Sequence, residues 1–189
     1  MDALVVYESM FGNTKDIAES IAGGMGMRLD TEIVEVGRAP LHLDEGVTLV
    51  VLGGPTHAFS MSRAKTRSAA ADETTAPVLS REIGLREWLD LVAVQPGVEL
   101  ATFDTSLKKW RRMGTASRAA TKRLKRMGLA VAAPPETFYV EGMTGPLAEG
   151  ELARAYEWGA HLAIRHALNR KDLLLHTTSD QAPSSAGRK

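Results

Sequence analysis

The sequence predicts an α/β protein built in three layers, with a doubly wound five-stranded parallel sheet between two layers of helices. Two observations predict it. Short apolar runs alternate with stretches of helical period, in the order β-α-β-(weak)-β-α-β-α-β-α. Alternation of this kind places strands side by side in parallel and helices on both faces. The run Val47 to Leu52 is nearly all apolar and β-branched, as a strand covered on both faces should be.

Each element has its own signal. Ala3 to Tyr7 reads as a buried strand. From Thr14 to Met25 apolar residues fall at Ile17, Ala18, Ile21, Ala22 and Met25, a helical spacing, and Gly23, Gly24 and Gly26 end the run. Thr31 to Val36 alternates polar and apolar side chains, as an edge strand does. Val47 to Leu52 reads as a central strand that Gly53-Gly54-Pro55 stops. Residues 60–82 are rich in Ser, Ala, Thr and charge without a clear period, so the expectation is a long surface loop with at most one short helical turn. Leu85, Trp88, Leu89 and Val92 mark a helix. Val98 to Phe103 reads as a strand ending at Asp104-Thr105, and Thr115 to Met127 as a basic helix. Leu129 to Ala133 and Thr137 to Val140 look like two pieces of one last strand, broken at Pro134-Pro135. Leu147 to Leu168 reads as a long amphipathic helix with Leu152, Tyr156, Gly159, Leu162 and Ala163 on one face. The expected organisation is one domain over residues 1–170, with 60–82 as a loop insertion, and a Ser/Ala/Pro/Gly-rich tail over 171–189 that does not order.

Composition narrows the chemistry. The 189 residues are 44% hydrophobic and carry 23 basic and 23 acidic side chains, for a formal net charge of zero. Overall charge thus favours neither nucleic acid nor a membrane surface. Cysteine is absent, which excludes disulfides, iron–sulfur clusters, thiolate zinc sites and cysteine nucleophiles. Redox chemistry would need a bound organic cofactor, or a metal held by nitrogen and oxygen. No basic leader or membrane-length apolar run is visible, so the expectation is a soluble cytoplasmic protein.

In a doubly wound sheet, ligands bind outside the carboxyl ends of the strands, where strand order switches. That rule directs attention to residues 8–14, 53–62 and 104–114. The first segment is a strand, then a loop with hydroxyl side chains and glycine, then a helix start. Unpaired amide groups and the helix dipole favour an anion there. Ser9, Asn13 and Thr14 can add side-chain hydrogen bonds, and Gly12 permits close approach or positive φ. Asn13 followed by Asp16 also fits an ordinary helix cap.

The run Tyr7-Glu8-Ser9-Met10-Phe11-Gly12-Asn13-Thr14 resembles the phosphate loop of flavodoxin-like proteins, and Gly53-Gly54-Pro55-Thr56 resembles a second loop of that superfamily. The Tyr-x-Ser-x-x-Gly-x-Thr form also resembles the flavodoxin-type quinone reductases and protoporphyrinogen-oxidase-like enzymes. Ser9, Gly12, Asn13 and Thr14 match the pattern; Phe11 stands where a hydroxyl residue is usual. In element order the likeness spans roughly residues 2 to 168. It implies FMN as the cofactor. Ser9, Met10, Phe11, Gly12, Asn13 and Thr14 would hold its phosphate. Pro55, Thr56, His57 and Phe59 would cover one side of the ring, and Asp104 and Thr105 would meet the other edge. No Tyr occurs in the third loop, where the superfamily often stacks one, and Trp110 is the aromatic available. The loop is basic where flavodoxins are typically acidic, through Lys108, Lys109, Arg111 and Arg112. Such charge near a flavin favours its reduced anion and raises its potential.

The resemblance implies electron transfer, with a redox protein, or with NAD(P)H and a small-molecule acceptor, as partners. Two alternatives stay open: an FMN-dependent quinone or small-molecule reductase, and a binding module on the same fold that has lost FMN. The basic run through Arg118, Lys122, Arg123, Lys125 and Arg126 reads first as a solvated helix face. Docking of a phosphorylated cosubstrate or of an acidic redox partner are sharper alternatives. No nucleic-acid module is expected. His161 and His166 are five apart, poor spacing for one helical face, so no metal is expected. No residue is singled out as catalytic. Gly-x-Ser-x-Gly is absent, and Gly12 belongs to no Gly-x-Gly-x-x-Gly fingerprint.

Overall fold

Alternation along the central strands divides the protein into two cores. In the computed structural model, which describes residues 1–75, 77–110 and 112–179, strand β1 (Ala3–Tyr7) sends Leu4 and Val6 to one face of the sheet and Ala3 and Val5 to the other. Strand β3 (Leu49–Pro55) does the same with Val50 and Leu52 against Leu49 and Val51. Helices α1 (Asn13–Met25) and α5 (Glu151–Ser179) cover one face. Helices α3 (Leu85–Leu91) and α4 (Ala116–Arg126) cover the other, around the buried Trp88. The remaining elements are β2 (Thr31–Glu35), α2 (Ala64–Asp72), β4 (Glu99–Leu107), β5 (Ala130–Val131) and β6 (Glu136–Val140).

All strand pairs are parallel, and the order is β2-β1-β3-β4-β5, with β6 also pairing with β4. The predicted three-layer sheet is present. Its last strand is split in two around Pro134-Pro135, which supply no ladder N–H. The edge position of β2 accounts for its exposed Glu32 and Ile33.

Several boundaries differ from the sequence reading. Gly53-Gly54-Pro55 does not stop β3; it continues in register with Phe103–Thr105 of β4. The ring of Phe103 lies where a Cβ on Gly53 would stand, so the glycine makes room for a core aromatic rather than a turn. Strand β4 likewise runs on to Leu107. The 60–82 segment contains α2, a nine-residue helix, instead of being a loop throughout. Helix α5 begins at Glu151 and continues to Ser179, into the span expected as a tail; 180–189 lie outside the described residues. Its buried face is Ala155, Gly159, Leu162, Ala163 and His166, whereas Leu152 and Tyr156 are exposed.

That face is set by a close helix crossing. A Cβ on Gly159 would strike the Ile21 carbonyl of α1, and one on Gly24 would strike the Tyr156 carbonyl of α5. Glycines on both sides let the two backbones touch, leaving no room for longer side chains at the crossing. Among the described residues no helix is long and apolar enough to cross a membrane. Gly159→Ala should force the helices apart and cost about 1–3 kcal/mol, as overpacking does, lowering Tm by several degrees in a thermal melt; an unchanged melt would contradict the crossing.

Candidate functional site

Strand order reverses beside β1. The chain leaves β1 through α1 toward β2 on one side, then returns to β3 on the other. The loops after β1 and β3 therefore part at their carboxyl ends and leave a crevice. It forms a cavity of about 250 Å³.

The first wall is the β1–α1 loop. Gly12 has φ 96°, the left-handed region, with open space around its Cβ position. The Ser9 hydroxyl accepts from Gly12 N–H at 3.2 Å and from Lys15 N–H at 3.4 Å, so it caps the helix from inside the loop. Among the described residues the N–H groups of Phe11, Asn13 and Thr14 have no hydrogen-bond acceptor. The side chains that were expected to reach a phosphate are engaged elsewhere. Asn13 Nδ2 donates to the Thr144 carbonyl at 2.9 Å, and the hydroxyls of Thr14 and Thr105 share a hydrogen bond of 2.7 Å. The free donors of this loop are thus backbone amides.

The second wall follows β3. His57 and Ser60 exchange both backbone hydrogen bonds, closing a two-residue turn with Ala58 at φ 47° and Phe59 at φ 62°. Such turns normally use Asn and Gly, because a Cβ strains the left-handed region. The Phe59 carbonyl sits against Gly114, where a Cβ would collide, and Arg86 binds the Ser60 hydroxyl and the carbonyls of Met61 and Ser62. Phe59 presents its ring edge-on to Trp110, with 5.7 Å between centroids. Both rings line the cavity on the same aromatic wall. Burial pushes the His57 imidazole below its ordinary pKa, only partly opposed by the backbone of Thr66.

The third wall is the end of β4. Thr105, Ser106 and Leu107 line the cavity, and the buried Ser106 hydroxyl has no hydrogen-bond partner among the described residues. Asp104 does not line it. Its carboxylate points to the other side of the strand and accepts from the Ser117 N–H at 2.8 Å, fixing the start of α4. Burial raises its pKa, with hydrogen bonds from Ser117, Thr115 and Thr137 opposing that shift. Thr56 joins the same junction, its hydroxyl accepting from Ala116 N–H.

The 60–82 segment closes the crevice. Thr66, Ala69, Ala70 and Glu73 of α2 and its end line the cavity. Spacing of i, i+3, i+4, i+7 is helical, but the residues are small or polar, so an apolar period could not reveal it. Beneath them Arg67 is 1% exposed. Its guanidinium donates to the Ser62 hydroxyl at 2.9 Å, the Glu82 carbonyl at 3.0 Å and both carboxylate oxygens of Glu87 at 3.2 and 3.3 Å. Glu8, at the end of β1, is buried beside this group and accepts from Leu85 N–H at 2.9 Å; burial raises its pKa. The far end of the segment is stitched to the β1–α1 loop. Ser80 N–H donates to the Ser9 carbonyl, Ser9 N–H to the Ser80 hydroxyl, and Leu79 N–H to the Met10 carbonyl.

The structure thus brings Ser9, Met10, Phe11, Asn13 and Thr14 together with Pro55, Thr56, His57, Phe59 and Thr105 around one cavity, with Gly12 shaping the loop. Sequence reasoning missed Ser106, the α2 residues, and Val140, Gly142 and Met143 from the end of β6. Ser106 had a signal: β4 needed only to run two residues further than expected.

The sequence matches no family model and no curated protein. Solved structures do match. An archaeal flavodoxin superposes with a TM-score of 0.62 at 21% identity, covering 88% of this chain and 99% of its own. Flavodoxin 1 of Bacillus cereus gives 0.58 at 16%, covering 86% and 97%. A flavodoxin, WrbA-like protein of Agrobacterium tumefaciens gives 0.54 at 18%, covering 88% and 98%. The chain has a flavodoxin-like fold.

Within this flavodoxin-like crevice the residues present fit a phosphate-bearing ligand with an apolar ring. Free amides at the start of α1 are anion donors, the Ser106 hydroxyl is buried with no partner among the described residues, and Phe59 and Trp110 give an apolar wall. Among the described residues no cluster of three or more His, Asp or Glu is placed to hold a metal. Because the His57 pKa is lower folded than unfolded, protonation favours the unfolded chain. Stability should therefore fall as pH drops below the ordinary value of 6.5. Chemical denaturation at about pH 7 and about pH 5 should show a smaller loss for His57→Gln than for the parent; equal losses would contradict the burial of this ring.

Proposed function

We propose that this protein binds FMN in the β1/β3 crevice and carries electrons through it. The observation that supports this reading best is the row of unpaired amides at Phe11, Asn13 and Thr14, residues that line the same cavity as Ser106, whose buried hydroxyl is also without a partner among the described residues. Buried or half-buried donors in native proteins have partners, and on this reading a bound phosphate is theirs.

The residues divide the work. The amides of the β1–α1 loop and the dipole of α1 stabilise a phosphate by hydrogen bonds and partial positive charge rather than by a charged side chain. The Thr14–Thr105 hydroxyl pair ties the helix start to the end of β4, setting the distance between the phosphate end and the ring end. Phe59 and Trp110 exclude water from one side of the ring. Burial holds the His57 imidazole below its ordinary pKa, which disfavours a cation in the pocket. FMN, when bound, supplies one- and two-electron chemistry that the side chains of a cysteine-free protein do not.

A second reading, an FMN-dependent reductase of quinones or other small acceptors, is favoured by one observation. The segment after β4 that borders the cavity carries exposed Lys108, Lys109 and Arg112. Cations there stabilise reduced, anionic flavin and suit two-electron delivery. A steady-state assay with NAD(P)H and quinones separates the two readings.

The test of FMN binding is a fluorescence titration. Purified protein should quench FMN at a one-to-one ratio. Gly12→Val should weaken binding by about tenfold or more, because valine strains φ 96° by about 1–2 kcal/mol and rotates the amides that follow. The space around Gly12 is open, so the variant should still fold. Full-strength binding by Gly12→Val, or no quenching by the parent, would sink the assignment.

A further inference from the structure

Charge is divided along this chain in a way the net value of zero conceals. Between residues 105 and 135 lie nine of the 23 Lys and Arg side chains and no Asp or Glu. The rest of the chain carries 14 cations against 23 acidic residues. The protein is therefore strongly dipolar, with one basic segment and an acidic remainder.

The described part of that segment leads from the cavity edge into α4. Lys108 and Lys109 follow directly on the cavity-lining Leu107, and Lys109 Nζ stands 5.2 Å from the centre of the Trp110 ring. Helix α4 then starts beside Thr56 and carries exposed Arg118, Lys122, Lys125 and Arg126. With Thr121 and Pro135 these four cations line a shallow groove. Arg123 is ion-paired, with Asp90 of α3; Arg118, Lys122, Lys125 and Arg126 enter no ion pair among the described residues.

A solvated helix face usually mixes both signs. Here Arg118–Lys122 and Lys122–Arg126 are i,i+4 pairs of like charge, which oppose the helix that carries them. The macrodipole rewards Lys125 and Arg126 in the last turn, but it disfavours Arg118 in the first. The arrangement is thus poor for the isolated protein and good for an acidic surface laid along it. The cations run the length of an 11-residue helix, roughly 16 Å, and Lys108 and Lys109 stand next to the cavity-lining Leu107 and Trp110. That extent suits the distributed charge of a protein face better than the compact phosphate of a nucleotide.

We propose that α4, with Lys108, Lys109 and Arg112, forms the docking face for an acidic redox protein, placing that partner against the Trp110 side of the crevice. This rests on the flavin reading for its purpose but not for its binding energy, which is carried by the cations alone.

The probe is a fluorescently labelled acidic [2Fe–2S] ferredoxin, with basic cytochrome c as the control of opposite charge, measured by anisotropy on the full chain with and without added FMN. Ferredoxin should bind and cytochrome c should not compete. Raising salt from about 50 to about 300 mM should weaken the complex about tenfold or more, because screening shortens the reach of exposed charge. Lys122→Glu/Lys125→Glu/Arg126→Glu should lose at least about tenfold in affinity, and the milder triple Gln variant should lose less, while Arg165→Glu on α5 should bind as the parent. No binding at low salt, undiminished binding by both triple variants, or tighter capture of single-stranded DNA or NADPH at the same salt would overturn the proposal. Titrating FMN into the same samples separates the two readings. FMN bound with ferredoxin ignored overturns the docking face alone. Ferredoxin bound in a salt-dependent way by protein that ignores FMN supports the face and overturns the flavin.

Discussion

The reversal of strand order beside β1 is the constraint from which the rest of the molecule follows. A right-handed crossover can carry the chain from a parallel strand to either edge, and this chain uses both directions from one strand. The loops leaving β1 and β3 must then diverge, and the backbone donors at the start of α1 face a gap rather than a neighbouring loop. Both hydrophobic cores are arranged to keep β1 and β3 central. Ala3, Val5, Leu49 and Val51 meet α1 and α5 on one face, while Leu4, Val6, Val50 and Leu52 meet the opposite layer. The crevice is therefore a by-product of topology, and the chemistry of its walls is what the sequence adds.

The most individual addition is the buried guanidinium of Arg67. A charge held away from water is expensive unless its hydrogen bonds are met. Arg67 meets most of them by gathering groups from three places: the Ser62 hydroxyl, the Glu82 carbonyl and the Glu87 carboxylate, with the Glu8 carboxylate nearby but not bonded to it. Gly84 is required there, since a side chain would occupy the space that Arg67, Ser62 and Glu8 share. One buried cation thus holds a polar, Ala-rich segment against the sheet, where a hydrophobic stripe would otherwise be needed. It places Thr66, Ala69 and Ala70 over the cavity.

That choice explains what could and could not be read from the sequence. The sheet and the helices flanking it were legible because their burial is written in apolar periodicity: Ile17, Ile21 and Met25 on α1, Leu85, Trp88 and Leu89 on α3. The β1–α1 loop was legible because Gly12 must take a left-handed φ and the helix start follows at once. Helix α2 was not, because its anchor is an arginine, which ordinarily signals solvent. The burial of Asp104 against the start of α4 was hidden for a similar reason: a carboxylate at a strand end is equally suited to a ligand or to a helix N-terminus, and only the fold decides. Gly53 misled because glycine marks turns as well as close approach, and the Phe103 ring 50 residues later settles which.

The turn at Ala58-Phe59 has a consequence for how the crevice behaves as a mechanical object. Two side-chain-bearing residues in the left-handed region hold about 2–4 kcal/mol of backbone strain between them, and the opposing brace is the Phe59 carbonyl wedged on Gly114. The segment before α4 is therefore a latch on a loaded spring. A ligand that presses the Phe59 and Trp110 rings loads the turn after β3 and the segment before α4 together, so the aromatic wall yields or holds as a single piece.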